Sequence, residues 1–447
     1  MPLPQPTAAN PTAVEPNSNP ARNSRLEPPA ASRALRVMHR DVLIDLVRGF
    51  LKVRGMEYGF RFLALALVLP CWACGDAGSG GAAFGYQTWT VSSEPSVTIG
   101  GPDEREGYLL ERLAGVTRLG DGRLVVADMG SAEVRYYDPL GNHLVTAGGD
   151  GEGPGEFRAI MQIQRLPGDT LLVLSRQPGL TWLSPEGDYL RSERVNLNEV
   201  ARLPCRLSEG NWHLLRDGTL LTVLEDNFFG ASCPPSPPSP WRETGLIARS
   251  TAFDGTFDTL GIFPSTERNS PNYRVYGRSL VLAFGPDRIF AGDTGAKEIL
   301  ALNFQGDTLL SYQTPWEPDP VPPEAKKDDV RRFARPDGTE EIGNAYLYPD
   351  HYPLFGRLLT DDTGFLWVMA YPVILEPISS WVLDRLIAAL VEEGGARWRV
   401  LSPDGKAVTE VRTPPRFYPL EIGQDYLLGV SKDEMDVETV QLFSLVR

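Results

Sequence analysis

A chain of 447 residues with 42% hydrophobic content can bury a large core, and its 44 glycines and 39 prolines suit many short strands separated by turns. The formal net charge is -15, and residues 1–73 carry more basic than acidic side chains, so the body that follows them is more acidic still. A surface of that sign excludes sequence-independent nucleic-acid binding, which needs basic side chains against phosphate.

Residues 1–34 are rich in Pro, Ala, Asn and Ser, lack periodicity, and cannot bury enough apolar surface to offset ordering entropy. Met38 to Gly55 allows a basic amphipathic helix. Met38 and Met56 are both candidate starts, so 1–55 is expected to be a disordered or untranslated leader. The run from Phe60 to Cys74 is too short for a comfortable membrane span, but fits a signal-peptide apolar region ending in a cleavage site. Cys71 and Cys74 have C-x-x-C spacing with no second matching pair, which excludes a zinc ribbon, and their place beside an apolar run argues against a redox motif.

Segment 56–74 resembles a bacterial lipoprotein signal, in which a small residue precedes a cysteine that is lipidated and becomes the mature N-terminus. Ala73 and Cys74 match; Cys71 stands where that family usually has Leu. The resemblance implies lipidation at Cys74, an address in the cell envelope and attachment to a membrane. Ordinary secretion and an uncleaved anchor are the alternatives. Residues 75–86 read as a Gly/Ser/Ala tether, and 87–447 as the folded domain.

Two turn signatures repeat along that domain. The first is Gly120-Asp-Gly-Arg-Leu, Pro167-Gly-Asp-Thr-Leu, Arg216-Asp-Gly-Thr-Leu, Gly285-Pro-Asp-Arg-Ile, Asp362-Thr-Gly-Phe-Leu and Gly423-Gln-Asp-Tyr-Leu. The second is Asp138-Pro-Leu-Gly-Asn, Ser184-Pro-Glu-Gly-Asp, Phe253-Asp-Gly-Thr, Phe304-Gln-Gly-Asp and Ser402-Pro-Asp-Gly-Lys. Each first-type turn precedes a β-type run such as Leu124-Val-Val-Ala. Six of one and five of the other mean that the last unit, from Phe417, lacks its outer strand. Trp89 to Ile99 parallels the outer strand of the first unit but has no unit of its own. Placed on the last unit, it closes a ring. The expected fold is all-β, a six-bladed β-propeller of about four strands per blade, closed by an N-terminal outer strand on the last blade. A β-sandwich is the alternative; it explains neither the matched turns nor the incomplete last repeat.

The first unit also resembles NHL-type repeats and the wider TolB-like six-bladed propellers, through Leu124-Val-Val-Ala-Asp128, Val134-Arg-Tyr-Tyr-Asp138, Gly141 and the linker Gly153-Pro-Gly-Glu-Phe157. The resemblance covers Thr88 to Arg447 as a fold and implies no single activity, since propellers host unrelated functions. The glycine-rich run Gly148 to Glu156 lacks the Gly-Lys-Ser/Thr of a phosphate loop and the acidic spacing of an EF-hand, and is expected to be a blade-connecting loop.

Strand parity sorts the loops onto two faces. All the repeated short turns fall on one face. Three long insertions, Asp226 to Glu243, Trp316 to Asp350 and Glu376 to Ala396, fall on the other, where binding is expected. Ile378, Trp381, Val382, Leu386, Ala389 and Leu390 predict a helix in the third insertion, which could cover the propeller face or dock on a membrane. Cys205 and Cys233 both lie on the insertion-bearing face, and in an exported protein they are expected to form a disulfide.

Asp128, Arg176, Asp226, Asp293 and Tyr371 end second strands and are the candidate channel and face ligand-binding residues. Their other reading is bracing between neighbouring blades. His143, His213 and His351 fall in different units, which argues against a three-His metal site. No catalytic constellation and no G-x-S-x-G elbow is present. The expected function is an envelope propeller, monomeric and without cofactor, that binds a protein or small-molecule partner through the insertion-bearing face. A lactonase-like hydrolase or lyase with calcium in the central channel and a purely structural scaffold are the alternatives.

Overall fold

A computed structural model describes residues 88–101, 105–177, 179–194, 206–227, 241–251, 257–269, 272–274, 276–314, 316–323, 348–371, 394–433 and 437–447. Its strands form six antiparallel sheets in sequence order. Blade 1 holds Leu113–Arg118, Leu124–Asp128, Glu133–Tyr137 and His143–Gly148; blade 2 holds Arg158–Arg165, Leu171–Gln177, Leu180–Leu183 and Tyr189–Glu193. Blade 3 holds Arg206–Leu214, Leu220–Asn227, Trp241–Ser250 and Asp258–Asn269, with the short Asn272–Tyr273 added outside. Blade 4 holds Leu280–Phe284, Ile289–Asp293, Glu298–Leu302 and Thr308–Gln313; blade 5 holds Phe355–Thr360, Leu366–Ala370, Arg397–Leu401 and Ala407–Arg412.

Blade 6 closes the ring. Its own strands are Phe417–Ile422, Tyr426–Lys432 and Glu438–Val446. The expected N-terminal outer strand is present as two short pieces, Thr90–Val91 and Val97–Gly100, both antiparallel to Glu438–Val446. Thr90 faces Val446 and Ile99 faces Val440 in the register. Arg447 clasps the join: it donates to Asp361 at 2.7 Å and to the Gly423 carbonyl at 3.0 Å, and its guanidinium lies 4.4 Å from the centre of the Trp89 ring.

The core is divided into six wedges, one at each blade–blade interface. Leu124 and Val126 pack against blade 6, while Val125 and Ala127 of the same strand pack against blade 2. The same division recurs at the interfaces of blades 2 and 3, 3 and 4, 4 and 5, and 5 and 6. A second strand is therefore covered on both faces and reads as a continuous apolar run rather than an alternating one. Each fully covered Val or Leu contributes roughly 1.5–3 kcal/mol relative to exposure.

The repeated turns share one device. In Asp138–Asn142 the Asp138 carboxylate accepts the Leu140 amide at 2.9 Å and the Asn142 amide at 2.8 Å, and Gly141 takes φ +86°. Ser184 with Gly187, Asn303 with Gly306 and Ser402 with Gly405 repeat it. The short polar side chain satisfies the turn amides and the glycine supplies the left-handed residue. The Gly-rich link of blade 1 folds back as expected: the Phe157 amide donates to the Gly149 carbonyl at 2.9 Å, and Phe157 itself is fully buried between blades 1 and 2. The third insertion's predicted helix, the Phe253 turn and the leader with its signal segment lie outside the described residues.

Candidate functional site

The first strand of every blade lines the central channel. Its described cavity, about 490 Å³, is walled by Val116, Thr117, Gln162–Arg165, His213, Leu280–Phe284, Gly356–Thr360 and Leu420–Ile422, with Asp362 at one end. A second cavity of about 660 Å³ shares Gln164, Arg165, His213, Phe284, Thr360 and Asp362 with it and opens among the short turns of blades 2 to 5. Asp128, Arg176, Asp293 and Tyr371 line neither cavity, because a second strand sits one ladder position out from the ring axis.

Those five sit towards the insertion-bearing face and differ in their company. Asp128 is fully buried; its carboxylate accepts the amides of Glu111 and Arg112 at 3.0 Å and of Gly130 at 2.9 Å, and stands 3.7 Å from the Arg135 guanidinium. Asp293 is gripped by both terminal nitrogens of Arg242, at 3.1 and 3.2 Å, and accepts the Gly295 amide at 3.0 Å. Arg242 is on blade 3 and Asp293 on blade 4, so this pair braces neighbouring blades. Arg176 is exposed near the end of its strand, and Asp226 pairs with Leu207 in blade 3. Cys205 and Cys233, and Cys74, lie outside the described residues.

Tyr371 belongs to a cluster that the sequence did not announce. Its ring stacks at 5.9 Å on Tyr352, which meets Tyr276 edge-on at 4.8 Å, and Tyr276 lies 6.1 Å from Tyr348. Burial pushes the Tyr371 hydroxyl pKa well up, so it stays a neutral donor. The Tyr348 hydroxyl is buried and makes no hydrogen bond among the described residues. Beside the cluster, Glu267 is buried and takes bonds from Arg274 at 2.7 Å and from the Arg278 amide and side chain at about 3.1 Å. Burial alone would raise the Glu267 pKa, but the Arg278 and Arg274 guanidiniums outweigh it and hold it at about 2. Tyr371 stands five residues before the third insertion segment, and Tyr348 lies near the end of the second. The four tyrosines come from connecting segments far apart in the chain and carry no periodic signal, so only the assembled ring brings them together.

On the opposite side, His213 stacks flat on Phe284, centroids 4.6 Å apart and planes 1° from parallel. Burial pushes its pKa down to about 4, so the ring is neutral across the physiological range. Among the described residues no group of three or more His, Cys, Asp or Glu is placed to hold a metal ion, and no helix is long and apolar enough to cross a membrane.

No protein-family model and no curated protein matches the sequence. Solved structures do. A protein from Bacteroides fragilis described as exported is 13% identical over 80% of this chain and 95% of its own, with a TM-score of 0.43. A member of the DUF4221 family from Bacteroides vulgatus is 11% identical over 80% and 99%, at 0.47. A gluconolactonase from Xanthomonas campestris is 15% identical over 81% and 99%, at 0.35. At these identities and scores the likeness carries no argument about function.

Proposed function

We propose that the chain is an exported, lipid-anchored propeller of the NHL/TolB-like type that binds a protein or small-molecule partner through its insertion-bearing face. The observation that carries the reading is the tyrosine cluster at the root of two insertions. It joins three aromatic contacts, a buried hydroxyl without a described partner and an acid–base network on the face where all three insertions leave the ring. Tyrosine suits such a surface because it couples a large apolar ring to one polar tip and loses few rotamers on binding. The segment ending in Ala73-Cys74 supports export and anchoring at Cys74; a Cys205–Cys233 disulfide would tie the Pro-rich insertion to the ring.

The competing reading places calcium in the channel for lactone hydrolysis. Asp128 and Asp293, the aspartates offered for it, have their oxygens engaged, Asp128 by backbone amides of its own blade and Asp293 by Arg242 of the neighbouring one.

A photo-crosslinking amino acid at position 371, in the full-length protein expressed in its own cells, tests the reading. Adducts at 371 that are absent when the probe sits at Leu190, on the outer edge of blade 2, support it. Adducts only from the short-turn face would overturn it. Incorporation of labelled palmitate that is lost in Cys74→Ala checks the anchor.

A further inference from the structure

The cavity at the short-turn mouth belongs to no part of the proposed partner surface. Four aspartates, Asp169, Asp217, Asp361 and Asp362, and two arginines, Arg165 and Arg216, line it. Arg447 neutralises Asp361 at 2.7 Å, and Asp361 also accepts the amides of Thr363 and Phe365 and the Trp367 indole. Asp169 accepts the Gly120 amide at 2.9 Å and Asp217 the Thr219 amide at 2.9 Å. Asp362 differs from all three. It is half exposed and makes no hydrogen bond among the described residues; its only partner is Arg165, 3.7 Å away.

Arg165 is on blade 2 and Asp362 on blade 5, three positions apart in a ring of six, so this loose pair spans the mouth. The same guanidinium is shared with Asp169 at 3.7 Å. One step deeper, Glu421 on blade 6 is held by the Thr117 and Tyr426 hydroxyls and the Arg118 amide. Burial raises the pKa of both Asp362 and Glu421, and Arg165 offsets this only in part. The four aspartates of the mouth still outnumber the three guanidiniums of Arg165, Arg216 and Arg447, so negative charge is in surplus here. The wall beside it is flat and apolar: His213 stacked on Phe284, with Leu215, Pro286 and Phe304. His213, neutral and with no hydrogen bond to its ring nitrogens among the described residues, adds no positive charge to repel a cation.

We propose that this mouth is a second binding site, for a small organic ammonium compound whose charged nitrogen meets the carboxylate of Asp362 and whose apolar body lies against the His213–Phe284 stack. A carboxylate ligand would have to compete with Asp169 and Asp362 for Arg165 in a pocket already in negative surplus. An ammonium instead completes the one carboxylate left without a hydrogen-bond donor, and a flat aromatic wall favours it further.

The probe is phenethylamine, titrated into the full-length protein at neutral pH by calorimetry and by the His213 ring proton shift. Its carboxylate counterpart 3-phenylpropanoate and calcium chloride are run in parallel. The expected result is saturable amine binding that moves the His213 resonance and weakens about tenfold or more in Asp362→Asn, as loss of a charge-assisted hydrogen bond requires. Glu186→Gln, a carboxylate lost from the same face outside the cavity, should leave it unchanged. Among the described residues Asp362 makes no hydrogen bond that its substitution would break, only the loose pair with Arg165, and the melting temperature of the variant checks that it folds. Preferential binding of the carboxylate, occupation by calcium with displacement of the amine, amine binding that survives Asp362→Asn, or no saturable binding each overturns the proposal.

Discussion

Burial alone moves the His213 pKa from 6.5 to about 4, and this makes folding stability depend on pH in a defined window. Between those values the unfolded chain holds a proton on this ring and the native chain does not, so stability rises with pH from about 4 to 6.5 and is flat above. At about 1.4 kcal/mol per pKa unit, the full span amounts to about 3 kcal/mol, half of it lost already near pH 5.5. Asp362 and Glu421 line the same space and act in the opposite sense, because their raised pKa values favour the native state as pH falls. The comparison is therefore made against His213→Phe, which keeps a ring on Phe284 and removes only the titration. Urea unfolding midpoints for both proteins at pH 7, 5.5 and 4.5 should diverge by the His213 contribution, the wild type losing more. The His213 ring resonance should titrate near 4. Parallel pH profiles for the two proteins, or a resonance titrating near 6.5, would refute the burial argument.

Other outcomes follow from the same contacts. Asp128→Ala removes the acceptor of three backbone amides and should cost about 2–4 kcal/mol of stability with no change in bound metal, read by denaturant melting and elemental analysis. Arg447→Ala leaves the buried Asp361 carboxylate without its cation and should cost about 3–5 kcal/mol, and Asp361→Asn in the same chain should restore part of it. Ile99→Ala empties a fully buried position on the closing strand and should cost about 2–5 kcal/mol, with hydrogen exchange rising first along Glu438–Val446. Glu267, held at about 2 against an ordinary 4.5, contributes stability that is complete above pH 4.5 and lost as pH falls towards 2. Glu267→Gln should flatten the acid limb.

The architecture was legible because propeller turns are written in residues with one physical job each. Asp138 with Gly141 and Ser402 with Gly405 have side chains that cap their own turn amides and glycines in the left-handed region. The closing strand was legible by subtraction, since the last repeat lacked a partner and Trp89 to Ile99 lacked a repeat. Its break into two pieces was not, because nothing in the alternation of Val97 and Ile99 marks where pairing lapses.

The sites were far less legible. Ending a second strand puts Asp128 and Asp293 towards the insertion-bearing face, but strand order cannot say that amides and Arg242 occupy them. In the sequence His213 offers only a candidate metal ligand; its stacking on Phe284 of the next blade depends on contacts 71 positions apart in the chain. Arg165 and Asp362 read as ordinary turn-flanking charges until the ring brings blade 2 opposite blade 5. Local pattern determines turns and strands, whereas these sites are made by neighbours that only ring closure supplies.

The central claim is that the insertion-bearing face binds a partner, while Asp128 and Asp293 are held by amides and guanidinium groups of the ring. An experimental structure of the protein purified from its own membranes, with whatever it retains, tests this most directly. The account predicts partner or ligand density against Tyr352 and Tyr371, with Asp128 and Asp293 bonded as described. A metal ion coordinated by Asp128 or Asp293, with the tyrosine face bare, would contradict it.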